Sequence, residues 1–407
     1  MNGAPPSPAV ARDQRPVLLV LSHLRWDFVF QRPQHLMTRA AAGHEVLFLE
    51  EPVEEDIATP RLDRFEREGG VLVARPVLPR GLSAELSVAA QRDLLDMLLA
   101  PREGRQLLAW FYSPMFLPAA GHLAANAVIY DCMDELSAFR GAPPAMLEME
   151  RRLLARADLV FTGGRSLYEA KQRRHPAVHC FPSSIDAQHF GQARRGMAEP
   201  AELGALPRPR IGFFGVVDER MDLDLVSELA ALRPDWSLAM VGPVVKIDSA
   251  SLPQAPNIHW LGARSYRELP AHLAHWDLGF MPFALNESTR FISPTKTPEF
   301  LAAGLPVVST AVTDVVRDYG SQGGEAGLVE IAQDAREMAL KAEALLNRPR
   351  EAWLARVDAR LAASSWDRVW ARMEALIEAA RAPRLAAPLR AGAGRTLAAR
   401  AAGAAHV

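Results

Sequence analysis

The chain is short of several things, and each shortage closes a class of function. It has 2 cysteines in 407 residues. Cys132 and Cys180 lie far apart, so the sequence encodes neither a disulfide framework nor a metal knuckle, and this usage fits a reducing cytoplasm. No run approaches the roughly 18–20 apolar residues that a bilayer-spanning helix needs. The formal net charge is -2, which removes the bulk electrostatic case for nucleic acid as a partner. No G-x-G-x-x-G joins a strand to a helix, which weakens a nicotinamide dehydrogenase. No G-x-x-x-x-G-K-[ST] supports a P-loop NTPase, and no G-x-S-x-G elbow supports a hydrolase. His272 and His275 share a helix face without an evident third ligand, so neither a metal nor a resident cofactor is expected. Residues Met1 to Arg15 lack the apolar core of a signal peptide, and residues 1–15 are expected to be disordered.

What is present is an alternation of apolar runs and amphipathic stretches. Val17–Leu21, Glu45–Leu49, Val71–Val77, Leu107–Phe111, Val128–Tyr130 and Leu159–Thr162 read as strands. Helical periods fall over Pro33–Ala42, Ala84–Leu99 and Met146–Ala157. Between Gly191 and Arg210 the composition shifts to Ala, Gly, Pro and Arg without period, which reads as a linker. The alternation then restarts, with strands at Arg210–Gly215, Trp236–Gly242, Ile258–Gly262, Leu278–Phe283, Pro306–Thr310 and Leu328–Ile331. Strands alternating with helices specify an α/β fold whose parallel sheets are covered on both faces. The expected division is a first domain over 16–195, a second over 205–364, a helix over 365–381, and a disordered tail over 382–407. Trp366, Val369, Trp370, Met373, Leu376, Ile377 and Ala380 form one stripe of that helix.

Ligands of open parallel sheets bind beyond the carboxyl ends of the strands, so those loops carry the candidates. The richest segment is Ser293 to Thr310, read as a loop, a short helix capped by Thr297 with Pro298 in its first position, and a buried strand. Lys296 and Glu299 then flank a helix N-terminus, where a phosphate and a ribose could sit. The same residues also fit a solvated lysine and a carboxylate that merely complements the helix dipole. Gly215 would let a ligand approach the backbone, and Arg220 could hold a diphosphate or simply be a helix-start charge. Asn286 to Arg290 form a polar loop suited to sugar hydroxyls or to solvent. In the first half, Ser22 to His35 mixes aromatic rings with cations and includes His23, Trp26, Arg32 and His35. Phe28 and Phe30 read there as a plug against the next helix. Asp131, Asp134 and Glu135 end another strand, as bases or turn caps. Gly163-Gly164-Arg165-Ser166 reads as an anion site or a plain glycine turn. Arg12, Arg15, Arg25, Arg32 and Arg39 near the first-domain loops hint at an anionic acceptor, although such surfaces are common.

These residues resemble the GT-B-fold glycosyltransferases, in particular the bacterial group-one family typified by teichuronic-acid and exopolysaccharide enzymes. The likeness rests on W-D-F-V-F-Q-R-P-Q-H-L from Trp26, Y-D-C-M-D-E-L-S-A-F from Tyr130, F-T-G-G-R-S-L-Y from Phe161, I-G-F-F-G-V-V-D-E-R-M from Ile211, and Phe291 to Thr310. Ser365-Trp366-Asp367-Arg368 resembles the family's closing helix, which crosses back to the first domain. The resemblance implies two Rossmann-like domains with parallel sheets facing across a cleft. It implies that Glu299 holds the nucleotide ribose, while Gly215, Arg220, Thr295 and Lys296 meet the diphosphate. Asn286, Glu287 and Arg290 would face the donor sugar, and Trp26, Arg32 and His35 the acceptor. Asp131 and Asp134 would also face the acceptor; Asp134, Asp131 and His23 are the catalytic candidates, with Asp134 first and Asp131 second as the base that an inverting transfer would need. Two departures stand out. Val216 occupies the position of a basic residue usual after the glycine, and Phe291 that of an earlier glutamate.

The expectation is therefore transfer of a sugar from a nucleotide-diphosphate donor, UDP-linked, to a glycan or lipid-linked acceptor, with retention and without a metal. The expected location is cytoplasmic, with a peripheral contact at the inner face of the plasma membrane left open. A nucleotide-sugar epimerase of the same architecture and a non-catalytic nucleotide-binding protein are the alternatives.

Overall fold

The computed structural model describes residues 14–321 and 327–386, with side chains to residue 381. The expectations for residues 1–13 and for the tail from 387 onward lie outside the described residues. Two sheets dominate. The first is built from β1 (Val17–Ser22), β2 (Glu45–Glu50), β3 (Val53–Glu55), β4 (Arg61–Arg67), β5 (Val71–Pro79), β6 (Leu107–Phe111), β7 (Ala127–Cys132), β8 (Leu159–Thr162) and β9 (Val178–Cys180). Its order is β3-β5-β2-β1-β6-β7-β8-β9, with β4 paired to β5 on the outside. The second runs β12-β11-β10-β13-β14-β15, from β10 (Arg210–Phe214), β11 (Ser237–Val241), β12 (Ile258–Gly262), β13 (Leu278–Met281), β14 (Val307–Thr310) and β15 (Val329–Ala332).

The central strands are parallel and wholly buried, as their unbroken apolar runs require. The exception is β4, antiparallel to β5 and partly exposed. Its sequence, Arg61 to Arg67, carries charges at most positions, so it gives no clean strand signal. Strand order reverses between β1 and β6 in the first sheet and between β10 and β13 in the second. Each reversal leaves a crevice at the carboxyl ends of its strands. The loops at the reversals are 22–31, 215–222 and 282–295.

The chain passes between domains at two neighbouring places. Phe181 is buried in the first-domain core and Ile185 in the second, so residues 182–184 make the outward crossing. The segment read as a linker is not free. Ala193 and Leu203 are buried in the second core, which takes in residues expected to close the first domain. The return crossing lies between Leu361, in the second core, and Trp366, in the first. The final helix, Trp366–Ala386, lays Trp366, Trp370, Met373 and Ile377 against the first domain and runs past the expected end at 381. Ser365 receives the Arg368 N–H at 3.2 Å and so starts this helix.

Candidate active site

Three loops of the second domain converge on one hollow. The loop after β10 begins at Gly215, whose φ of 127° suits glycine. A Cβ at this position would lie 2.2 Å from Lys296 Cε, so the lysine reaches the hollow only because residue 215 has no side chain. Gly242, after β11, has φ 147°, and a Cβ there would lie 1.8 Å from the Gly215 carbonyl oxygen. Both glycines therefore serve close backbone approach, and neither is a spare turn residue.

Arg220 is aimed by Asp218. Its Nε donates to Oδ1 at 2.9 Å and its Nη2 to Oδ2 at 2.7 Å. Burial pushes the Asp218 carboxyl up, but the hydrogen bonds and charge of Arg220 outweigh it and hold that group below its usual range. The guanidinium lies 5.5 Å from the ring centre of Phe139, a first-domain residue. Lys296 and Glu299 come from the helix Lys296–Ala302. That helix starts earlier than expected: Thr295, not Thr297, occupies the cap position, and Thr297 is buried with its hydroxyl 3.6 Å from Met281 Sδ. Pro298 still falls in the first turn, where no intrahelical N–H donor is needed. At seven residues the helix is short, so the full charge of Lys296 outweighs its dipole.

Lys296 Nζ sits 5.5 Å and 5.6 Å from the ring centres of Phe213 and Phe283. Among the described residues neither its ammonium nor the Glu299 carboxylate has a side-chain hydrogen bond or ion pair, although Glu299 is only 6% exposed. Burial, and then the charge of Arg220, lower the lysine pKa. Burial raises the Glu299 carboxyl, with Lys296 pulling the other way. A cation and a carboxylate thus stand unsatisfied at one cavity of about 640 Å³, lined also by Arg220, Gly215, Thr295 and the first-domain residues Trp26, Phe28 and Phe30. A cation and a carboxylate facing one cavity fit a ligand bearing both anionic oxygens and hydroxyls. A recess of about 100 Å³ adjoins it, lined by Asp134, Arg32, Arg220 and Lys296. Burial raises the Asp134 carboxyl, opposed by Arg220.

Several expected site residues go elsewhere. Asp131 is wholly buried and takes Arg32 in a two-pronged pair, Nε–Oδ2 3.0 Å and Nη2–Oδ1 2.9 Å, while Nη1 donates to the Phe181 carbonyl at 2.8 Å. Each neutralises the other, so Asp131 is not a free base and Arg32 is not a free acceptor contact. His35 is stacked on Trp366 at 4.7 Å, and burial pushes its pKa down to about 3, so it packs the closing helix and lines neither hollow. His23 also lines neither. Burial and Lys246 push it down to about 4 and keep it neutral. Asn286 folds its own loop, Oδ1 accepting from the Ser288 and Thr289 N–H groups at 3.0 and 3.2 Å. Glu287 and Arg290 are exposed and lie 3.8 Å apart on the surface. None of the three lines either hollow, where the resemblance had them face the donor sugar.

Other residues at the hollow carry little local signal of a role there. Asp218 could have been found from its place two residues before Arg220. Tyr266 could not. It stacks between Phe30 at 4.4 Å and His189 at 4.2 Å, bridging the domains at the cavity's edge. Phe28 and Phe30, read as a plug, are 47% and 38% exposed and line the cavity. The Gly164–Ser166 turn holds an anion, but an internal one: Asp314 of the second domain accepts the Ser166 N–H at 3.1 Å. Arg165–Asp318 and Arg317–Glu169 flank it as a clasp between domains.

Residues 208–348 match the family of glycosyl transferases group 1. A Bacillus subtilis protein, TuaH, named for a glycosyltransferase of teichuronic acid biosynthesis, is 28% identical over 234 residues, covering 53% of this chain. The match spans only 59% of TuaH's own length. Among solved structures, sucrose-phosphate synthase from Thermosynechococcus elongatus superposes with a TM-score of 0.67 at 16% identity, over 90% of this chain and 99% of its own. An E. coli trehalose-6-phosphate protein bound with UDP-2-fluoro glucose gives 0.64 at 12% identity, again over 90% and 99%. At such identities the likeness shows the fold, and that fold is GT-B. Residues 208–348 are therefore a group 1 glycosyl transferase domain, set in a chain of GT-B architecture.

Proposed function

We propose that the protein is a glycosyltransferase that moves a sugar from a nucleoside diphosphate donor, UDP-linked, to a hydroxyl of a glycan or lipid-linked acceptor, with retention at the anomeric carbon. One observation carries this reading: Arg220 from the loop after β10, and Lys296 and Glu299 from one short helix, line one interdomain hollow, where the last two have no side-chain hydrogen bond or ion pair among the described residues. Glu299 accepts from the ribose hydroxyls. Arg220 and Lys296 face the diphosphate. The acceptor oxygen bonds to the anomeric carbon as the bond to the diphosphate breaks. The electron pair goes to the diphosphate oxygen, and the hydroxyl proton follows onto that leaving group. Negative charge grows where the two cations already stand, and such fixed charges cost no reorganisation during the reaction. Asp134, at the cleft floor, accepts a hydroxyl hydrogen and orients the reacting sugar. Phe30 and Tyr266 meet across the cleft, so closure there keeps water from the donor.

The UDP-bound E. coli structure and the name of TuaH support the donor and the polysaccharide context. Among the described residues no helix is long and apolar enough to cross a membrane. The test is incubation with UDP-, GDP- and ADP-sugars, with and without a membrane-lipid extract. Nucleoside diphosphate released only with extract supports transfer. An isomerised donor points to an epimerase, and saturable binding without turnover to a binding protein.

A further inference from the structure

The two walls of the cleft differ in charge. The second domain presents Arg220, Lys296 and the exposed Arg267 to the cavity. Among the described residues the first-domain wall has one lining cation, Arg67, and Asp27 clasps it, with Nε–Oδ1 at 2.9 Å and Nη2–Oδ2 at 2.6 Å. Glu68 lines the same wall and has no ion pair among the described residues. The neighbouring arginines are taken up as well. Arg25 pairs with Glu50 at 3.2 Å, Arg32 with Asp131, and Arg39 with Asp367 at 2.7 Å. Arg15 donates to the Ala41 carbonyl at 2.7 Å. These arginines therefore lend the hint of an anionic acceptor little support: Arg25, Arg32 and Arg39 are each held by a carboxylate of the fold. Arg12 lies outside the described residues.

What that wall leaves open is aromatic and acidic. Phe28 and Phe30 keep much of their surface exposed, beside Trp26. A phosphate placed there meets the unpaired charge of Glu68, since Asp27 and Arg67 neutralise each other. A pyranose ring carries no charge, its C–H face covers an aromatic face, and its hydroxyls donate to carboxylates. From this geometry we infer that the acceptor presents an uncharged sugar terminus, its ring against Phe28 and its hydroxyls on Asp27 and Glu68, and that phosphorylated sugars are refused. This inference rests on the transferase reading and adds the acceptor class to it.

The experiment uses the full chain saturated with UDP. Saturation-transfer NMR and calorimetry compare methyl hexosides and maltose with glucose 6-phosphate. At least one neutral sugar should bind tenfold or more tightly than glucose 6-phosphate. Phe28→Ala should weaken that neutral sugar about tenfold, and an unaltered circular-dichroism spectrum and melting temperature show that the variant folds. Glu68→Lys should narrow the gap by improving glucose 6-phosphate. The inference is overturned if glucose 6-phosphate binds as well as the best neutral sugar, if no neutral sugar binds a chain that binds UDP, or if Phe28→Ala changes nothing. A chain that binds no UDP at all sinks the transferase reading, and the acceptor inference with it.

Discussion

Replacing Glu299 with glutamine should make the empty protein more stable and the UDP complex weaker. The carboxylate is 6% exposed and has no side-chain partner among the described residues, and burial raises its pKa. An acid whose folded pKa lies above its unfolded value destabilises the fold as pH rises from the unfolded pKa through the folded one, and that cost is fully present above both. Glutamine keeps the shape and removes the charge. The gain should be about 1 kcal/mol, the low end of the range for a polar group left without a partner, because the carboxylate faces the cavity. That corresponds to a rise in Tm of about 2–4 °C per kcal/mol for a domain of this size. In the complex the sign reverses. Hydrogen bonds from ribose hydroxyls to a charged acceptor are worth about 1.5–3 kcal/mol, so UDP affinity should fall about 10- to 150-fold. The lysine loses a neighbour that raises its pKa, so UDP binding in E299Q should also decline at lower pH than in the parent. Thermal melts from pH 5 to 9 and calorimetry with UDP read both effects. Unchanged UDP affinity, or a lower Tm in the neutral range, would falsify the assignment of Glu299 as an unpaired ligand-binding carboxylate.

Other outcomes follow from the same geometry. Removing either cation facing the diphosphate, by Arg220→Ala or Lys296→Ala, should lower kcat by about 10²–10³. Because burial and Arg220 depress the Lys296 pKa, kcat/KM of the parent should fall on the alkaline side below the ordinary lysine range, and Lys296→Arg should move that limb upward. A pH profile identical in parent and K296R would remove Lys296 from the reaction. Asp131→Asn should act on stability, costing about 3–5 kcal/mol by leaving Arg32 buried and unpaired. Urea unfolding checks this, and a fully stable variant with selectively lost kcat would restore Asp131 as a catalytic group. Trp366→Ala should cost about 3–5 kcal/mol and loosen the closing helix, seen as faster proteolysis after Leu361.

The segment 293–310 shows how far local chemistry carries. Gly304, with φ 80°, ends the helix, Val307 begins the strand, and the rule that ligands sit at strand ends points to Lys296 and Glu299, which line the cavity. The helix starts two residues before the point its sequence suggests, because Thr297 has the chemistry of a cap but points into the core. Asn286 to Arg290 looked ligand-facing because they are polar. Whether a polar loop folds on itself depends on which carbonyls and N–H groups come within reach, as they do for Asn286.

By itself the sequence determined the two α/β domains, the parallel strands, the loop ends where chemistry collects and the apolar stripe of the closing helix. These depend on periodicity, glycine and proline, which act over a few residues. Only the tertiary structure decided which charges remain free. Arg32 meets Asp131 across 99 positions, and Asp314 fills the Ser166 turn across 148. An arginine in a sequence is merely a cation, and whether it can hold a ligand depends on the carboxylate that the fold brings to it first.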